Sequence, residues 1–217
     1  MKALIFDFDG TILDTETPEF TVWTALYKRF GQVLSATDWG RGIGTWGGFD
    51  PWADLEDKLG YNLPRETLQS EHRAEVLRLI GESELLPGTK NLMLEAKASG
   101  LKLAIASSSD HDWVSGWTQK HGILELFDAL ATRYEVEHVK PDPALFLLAL
   151  HKLGFAPDEA VVLEDSPNGA KAALAAGIAC VVIPNTVTKH LEFPSGVIRL
   201  ESLENVTLED LERRVKP

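Results

Sequence analysis

A single cysteine, Cys180, leaves no partner for an internal disulfide, and the six histidines lack the spacing of a zinc site. Basic residues are also scarce: 21 Lys and Arg stand against 33 Asp and Glu, a formal net charge of −12. Nucleic acids and anionic membranes are bound through basic faces, so neither is an expected partner. No apolar run approaches the roughly 20 residues needed to span a bilayer. The opening MKALIFDFDG is too short an apolar stretch, broken by two aspartates, to act as a secretory signal. Cytoplasmic location is the expectation. Internal repeats, low-complexity tracts and a Walker-type GxxxxGKS/T are missing as well, which excludes that class of NTPase. What remains is ordinary: 44% hydrophobic and 25% charged residues over 217 positions, enough for one domain or a core domain with an insert.

Short apolar runs alternate with helix-like segments along most of the chain. Strands are expected at Ala3–Phe8, Leu101–Ala106, Asp128–Thr132, Ala160–Leu163, Ile178–Ile183 and Gly196–Leu200. Helices are expected at Thr89–Ser99, Asp110–His121, Pro143–Leu153 and Asn168–Ala176. That alternation predicts an α/β fold, a parallel sheet with helices on both faces, whose ligand crevice lies beyond the carboxyl ends of the strands. The pattern breaks once. Residues 14–86 hold helical stretches at Thr17–Phe30, Pro51–Leu59 and Pro64–Ile80 but no strand, so they read as a helical cap inserted into a core made of 1–13 and 87–217.

Acids stand where core strands end. Asp7 and Asp9 close the first strand two residues apart and therefore on one side of it, and Glu164-Asp165 close the fourth. Like charges so near repel unless a cation sits among them, and converging carboxylates suit Mg²⁺. Alone, DxDG can equally be a polar strand-to-turn exit; an EF-hand is excluded because Pro18 would stand where its last Glu belongs. The second strand ends in Ser107-Ser108-Ser109 before a helix, either a phosphate cradle or a plain N-cap. Lys140 precedes the helix opened by Pro143, at the same rim. Aspartate pair, serine, lysine and acid pair thus follow one another at four successive strand ends.

In that order these residues resemble the four motifs of the haloacid dehalogenase-like superfamily: DFDGT (7–11), Ser107, Lys140 in VKPDP, and LEDSPNG (163–169). The chain is most similar to the β-phosphoglucomutase and sugar-phosphate phosphatase subfamily, with a helical cap after the first motif. The resemblance implies a Rossmann-like core and an enzyme acting on a small phosphorylated metabolite, working as a monomer. It implies Asp7 as nucleophile forming an aspartyl-phosphate, and Asp9 as acid and then base. Mg²⁺ would be held by Asp7, the Asp9 carbonyl and Asp165, with Glu164 close by; Ser107 and Lys140 would hold phosphoryl oxygens. Thr11, Ser108 and His111 are the expected substrate contacts from the core. Asp9 argues against dehalogenation, since true dehalogenases lack an acid there.

In the cap the likeness thins. Glu19 stands where the mutase carries a histidine, and the arginine that grips a distal phosphate has only the displaced Arg41 as a candidate. Hydrolysis is therefore expected over phosphate transfer to a second sugar hydroxyl, with a β-phosphoglucomutase-type enzyme as the alternative. A phosphoaspartate signalling module, similar to a receiver domain, is the remote one: receivers lack a cap and carry the aspartate on a later strand. The segment Trp39–Trp52 contains GIGTWG, a literal GxGxxG with no preceding strand, so no dinucleotide site is expected. Its tryptophans either wall the substrate pocket or pack the cap interior. Cys180, in IACVVI, is expected to be an inert buried thiol.

Overall fold

The computed structural model describes residues 1–45 and 47–215. Six strands form one sheet: β1 (Ala3–Phe6), β2 (Lys102–Ala106), β3 (Ala129–Ala131), β4 (Ala160–Glu164), β5 (Ala179–Val182) and β6 (Ile198–Arg199). Their order is β3-β2-β1-β4-β5-β6, and every neighbouring pair is parallel. The period of two along each strand sends alternate side chains to opposite faces. Leu4, Phe6, Leu103, Ile105, Val161 and Leu163 enter one core, and Ala3, Ile5, Ala104, Ala106, Val162 and Cys180 enter the other.

The helices are α1 (Glu16–Arg29), α2 (Ala36–Gly40), α3 (Pro51–Leu59), α4 (Arg65–Glu82), α5 (Thr89–Ala98), α6 (His111–Lys120), α7 (Ala144–Leu153), α8 (Pro167–Ala175) and α9 (Leu208–Val215). Helices α5, α6 and α9 supply Leu92, Met93, Val114 and Leu211 to the first core. Helices α7 and α8 cover the other face with Leu145, Phe146, Ala149 and Ala170. Cys180 is buried there, and burial pushes its thiol above the usual range, as expected of an inert group. No helix among the described residues is long and apolar enough to cross a membrane.

Helices α1 to α4 carry a third cluster of their own, built on Trp23, Tyr27, Trp52, Leu55 and Leu68. The Trp23 and Trp52 rings meet edge to face at 4.7 Å, and the Tyr27 hydroxyl donates to the Pro51 carbonyl at 2.8 Å. The separation from the sheet is not complete: Val76 and Ile80, in the last turns of α4, pack into the first sheet core. Entry and exit of this helical segment lie side by side, where Leu13 bridges Leu85 and the Leu86 N–H donates to the Ile12 carbonyl at 2.9 Å.

The first strand is shorter than its apolar run, ending at Phe6 and not at Phe8. The Asp7 N–H still donates to Leu163, extending the ladder, but the chain then turns so that the Phe8 carbonyl accepts from Ile12. Gly10, at φ +81°, makes that turn possible; a Cβ there would lie 2.3 Å from Asp165 Oδ2. Asp7 thus remains at the end of the ladder, while Asp9 belongs to the turn. The other predicted strands and the core helices shift by at most two residues at their ends.

Candidate active site

The carboxyl ends of β1 and β4 bring Asp7, Glu164 and Asp165 together, all buried, with one oxygen of each within 4.8 Å of the others. Lys140 is fully buried beside them, its Nζ 2.5 Å from Asp7 Oδ1 and 2.8 Å from Glu164 Oε1. Although burial works against its charge, these two carboxylates raise the Lys140 ammonium above the usual lysine range. Burial pushes Asp7 up to about 8, helped by Glu164 and Asp9 and opposed by Lys140. Burial, with the charges of Glu164 and Asp7, likewise pushes Asp165 well up. One ammonium therefore does not balance three buried carboxyls, and Asp165 Oδ1 is buried without a hydrogen-bond partner. Such a donor set fits a hard divalent cation.

Glu164, expected close to the metal, has a second task in this cluster. Its Oε2 accepts from the Asp165 and Ser166 N–H groups and the Ser166 hydroxyl at 2.8–2.9 Å, while Oε1 accepts from Lys140. It anchors the lysine and the turn into α8. Gly169 is required there, because a Cβ would lie 1.6 Å from Glu164 Oε1 with no room for that pinned carboxylate to retreat. Gly169→Ala is expected to destabilise the chain by about 3 kcal/mol or more in chemical denaturation, with matching loss of activity.

The Asp9 carboxylate turns away from this cluster towards β2 and α6. Its Oδ1 accepts from the Thr15 hydroxyl at 2.9 Å and the Trp113 indole at 2.8 Å. Its Oδ2 accepts from Ser109 at 2.6 Å and Ser107 at 3.3 Å. The serines cluster because Ser107 extends the β2–β3 ladder, its N–H donating to Ala131, and its hydroxyl then caps the Ser109 N–H at 3.0 Å. A cleft of about 470 Å³ opens over Asp7, Asp9, Ser107 and Ser108, walled by Glu16, Glu19, Trp39 and Arg73 from the helical segment and by Arg133 after β3.

Three expected substrate contacts lie elsewhere. Thr11 is buried below the cleft, on a separate 210 Å³ cavity beside Leu86 and Asn185, because the turn at Gly10 carries it behind Asp9. Arg41 is exposed and pairs with Asp38 one helical turn earlier, at 3.0 Å. His111 is exposed on the first turn of α6 and faces a neighbouring groove of about 750 Å³. Glu19 does face the cleft, where burial pushes it up to about 7 and Arg73 opposes the shift. Ser108 also lines it, donating to the Gly44 carbonyl at 3.1 Å.

The glycine-rich segment is a contact between the helical segment and the sheet's fourth-strand turn. Asn168 of the fourth motif donates to the Ile43 carbonyl at 2.9 Å, and a Cβ on Gly44, at φ +73°, would lie 2.1 Å from Ser166 Oγ. Both readings of its tryptophans hold in part: Trp39 lines the cleft against Phe20 and Phe49, and Trp52 packs the cap interior. Trp46 lies outside the described residues.

Several site residues escape the sequence reading. Arg73 and Arg133 are the cations of the cleft wall, in place of Arg41. Asn185 holds Asp165 Oδ2 at 2.6 Å; its only signal is its position just past the fifth strand run, at the same edge as the other groups. Glu16 also faces the cleft, where burial and the charges of Asp9 and Glu19 push its carboxyl well up. Thr15 and Trp113 show no sequence signal that ties them to Asp9.

Known proteins resemble this chain in sequence and in fold. YhcW of Bacillus subtilis is 43% identical over 208 residues, covering 96% of this chain and 94% of that one. A phosphorylated carbohydrates phosphatase of Thermotoga maritima is 30% identical over 82% of each chain. The crystal structure of a mutant CbbY from Rhodobacter sphaeroides with xylulose-(1,5)bisphosphate superposes with a TM-score of 0.76 at 29% identity, over 97% of this chain and 99% of that one. The family description that matches residues 1–177 is that of the haloacid dehalogenase-like hydrolases. A match of that extent, over a sheet whose strand ends converge on one buried cluster, makes this chain a member of the haloacid dehalogenase-like hydrolase family.

Proposed function

We propose that the chain is a Mg²⁺-dependent phosphatase that hydrolyses a small phosphorylated metabolite, a sugar phosphate in class, through an aspartyl-phosphate on Asp7. The observation that carries this reading is the arrangement around Asp7: a buried carboxylate with Lys140 on one oxygen, Asp165 beside it, and a second aspartate two residues on that opens to the same cleft. The carbohydrate phosphatase and the xylulose-(1,5)bisphosphate complex among the relatives support the substrate class.

In the first half-reaction an Asp7 oxygen attacks phosphorus, and the bond from phosphorus to the sugar oxygen breaks. Asp9 gives its proton to the departing oxygen, so an alcohol leaves. Water then enters by the same face, Asp9 takes its proton, and the Asp7–phosphorus bond breaks to release phosphate. Lys140 and Ser107 hold the non-bridging oxygens, where positioned charge contributes most in phosphoryl transfer. Asp7 and Asp165, with the Asp9 carbonyl and with Glu164 behind them, would hold Mg²⁺, which when bound neutralises charge on the carboxylates and the phosphoryl oxygens. Arg73 and Arg133 line the cleft, where Arg73 offsets Glu19, and supply positive charge for an anionic substrate.

The test is phosphate release over a panel of pentose and hexose phosphates, phosphoglycolate and nucleotides. Release is expected to be fastest on a sugar phosphate, to fall about 100-fold or more on chelation, and to return with Mg²⁺. Undiminished turnover in chelator would sink the metal assignment. Given β-glucose 1-phosphate and a glucose 1,6-bisphosphate primer, the chain is expected to release phosphate faster than it makes glucose 6-phosphate; the reverse order would make it a mutase.

A further inference from the structure

Of the four donors around Asp9, three are hydroxyls and one is the indole N–H of Trp113. The difference matters chemically. A hydroxyl can turn round and accept, so Thr15, Ser107 and Ser109 can follow a proton on and off the carboxyl. An indole N–H only donates. Trp113 therefore keeps Oδ1 an acceptor and leaves Oδ2, on the serine side, as the oxygen that exchanges the proton.

The ring is built to stay where it is. Trp113 lies in the first turn of α6, where its own backbone N–H donates to the capping Asp110 carboxylate at 2.8 Å. The Arg73 guanidinium, from α4 of the cap, sits 4.9 Å from its ring centroid, and Trp117 meets it edge to face at 5.7 Å. Core helix, cap helix and Asp9 thus meet on one side chain. We propose that Trp113 is a positioning residue for Asp9: its N–H, fixed by the α6 cap and the Arg73 stack, orients the carboxyl for proton transfer to the leaving oxygen. The proposal rests on Asp9 being the acid and base of the reaction, and it adds a link between the seating of the cap and the placing of that acid.

Trp113→Phe removes the N–H and keeps a ring for Arg73 to cover. The readout is kcat/KM, which reports only steps up to release of the leaving group. Two probes are compared: the sugar phosphate of the panel hydrolysed fastest, and p-nitrophenyl phosphate, whose phenolate departs without a proton. For the sugar phosphate kcat/KM is expected to fall about tenfold or more, and for p-nitrophenyl phosphate less than about threefold. Equal losses on both, or none on the sugar phosphate, would overturn the inference. Asp9→Asn run alongside separates the two levels: it should show the same split, and larger. No loss in Asp9→Asn overturns the acid–base reading itself, whereas a split there with none in Trp113→Phe overturns only the role of Trp113. A second measurement does not depend on Trp113→Phe folding. In Asp9→Ala the Trp113 indole N–H proton resonance is expected to move upfield as its charged acceptor disappears; an unmoved resonance would also overturn the proposal.

Discussion

Asp7→Asn is expected to abolish phosphate release, by about 10⁴-fold or more, while leaving the chain folded. An amide cannot form the acyl-phosphate on which both half-reactions depend, and a loss of that size corresponds to about 5.5 kcal/mol of transition-state stabilisation. The same substitution should not destabilise the metal-free protein, because burial already holds Asp7 towards its neutral form, up to about 8. The direction with pH follows. Between the ordinary carboxylate range and about 8, the folded chain keeps on Asp7 a proton that the unfolded chain has released. Stability of the metal-free protein therefore falls as pH rises through that window, and Asp7→Asn should flatten the Asp7 part of the fall. Thermal melts at a series of pH values, beside release assays with Mg²⁺, measure both. Turnover within tenfold of the unaltered chain would refute the nucleophile, and a steeper melt profile would refute the electrostatic account.

The second large effect is expected at Lys140. Its ammonium is wholly buried between Asp7 and Glu164 and lies 4.8 Å from the centre of the Phe146 ring. Lys140→Met fills much the same volume but leaves two buried carboxyls without their shared cation. Breaking a buried pair from one side costs about 3–5 kcal/mol, which for a chain of this size lowers Tm by roughly 10 °C. Release should fall as well, by about 100-fold or more, since the same ammonium is assigned to the phosphoryl oxygens. Glu164→Gln gives the control. Combined with Lys140→Met it should recover part of the stability, because one of the two carboxyls left without their cation is then a neutral amide, but none of the activity. A Tm change under about 3 °C in Lys140→Met would show that the triad contributes little to folding.

Much of this site is legible because a parallel sheet orders it. Apolar runs with a period of two define the strands, parallel pairing puts their carboxyl ends on one edge, Asp7, Ser107 and Asp165 are the next residues along, and Lys140 follows in the loop after β3. The helical segment offers no such rule. In α4 the buried stripe runs Leu68, Val76, Ile80 at helical spacing, with His72 on the same line, so Arg73 stands at its margin. Whether that margin meets only solvent or also Trp113 and the cleft depends on how α4 lies across the sheet, which no local pattern specifies. Arg41 shows the converse: it is the nearest, though displaced, candidate in the sequence for an arginine gripping a distal phosphate, yet the chain turns it outward onto Asp38.

The sequence by itself determined the α/β class, the helical insert after the first strand, and the order of the chemical groups along one sheet edge, because these follow from short-range periodicity and from strand polarity. Only the tertiary structure decided that Thr11, Arg41 and His111 lie outside the cleft, that Arg73 and Arg133 line it, that Asn185 holds Asp165, and that Trp113 holds Asp9. Those are contacts between residues from 20 to 104 positions apart, fixed by how separate elements pack, and packing is settled by the whole surface of each element and not by any one residue on it.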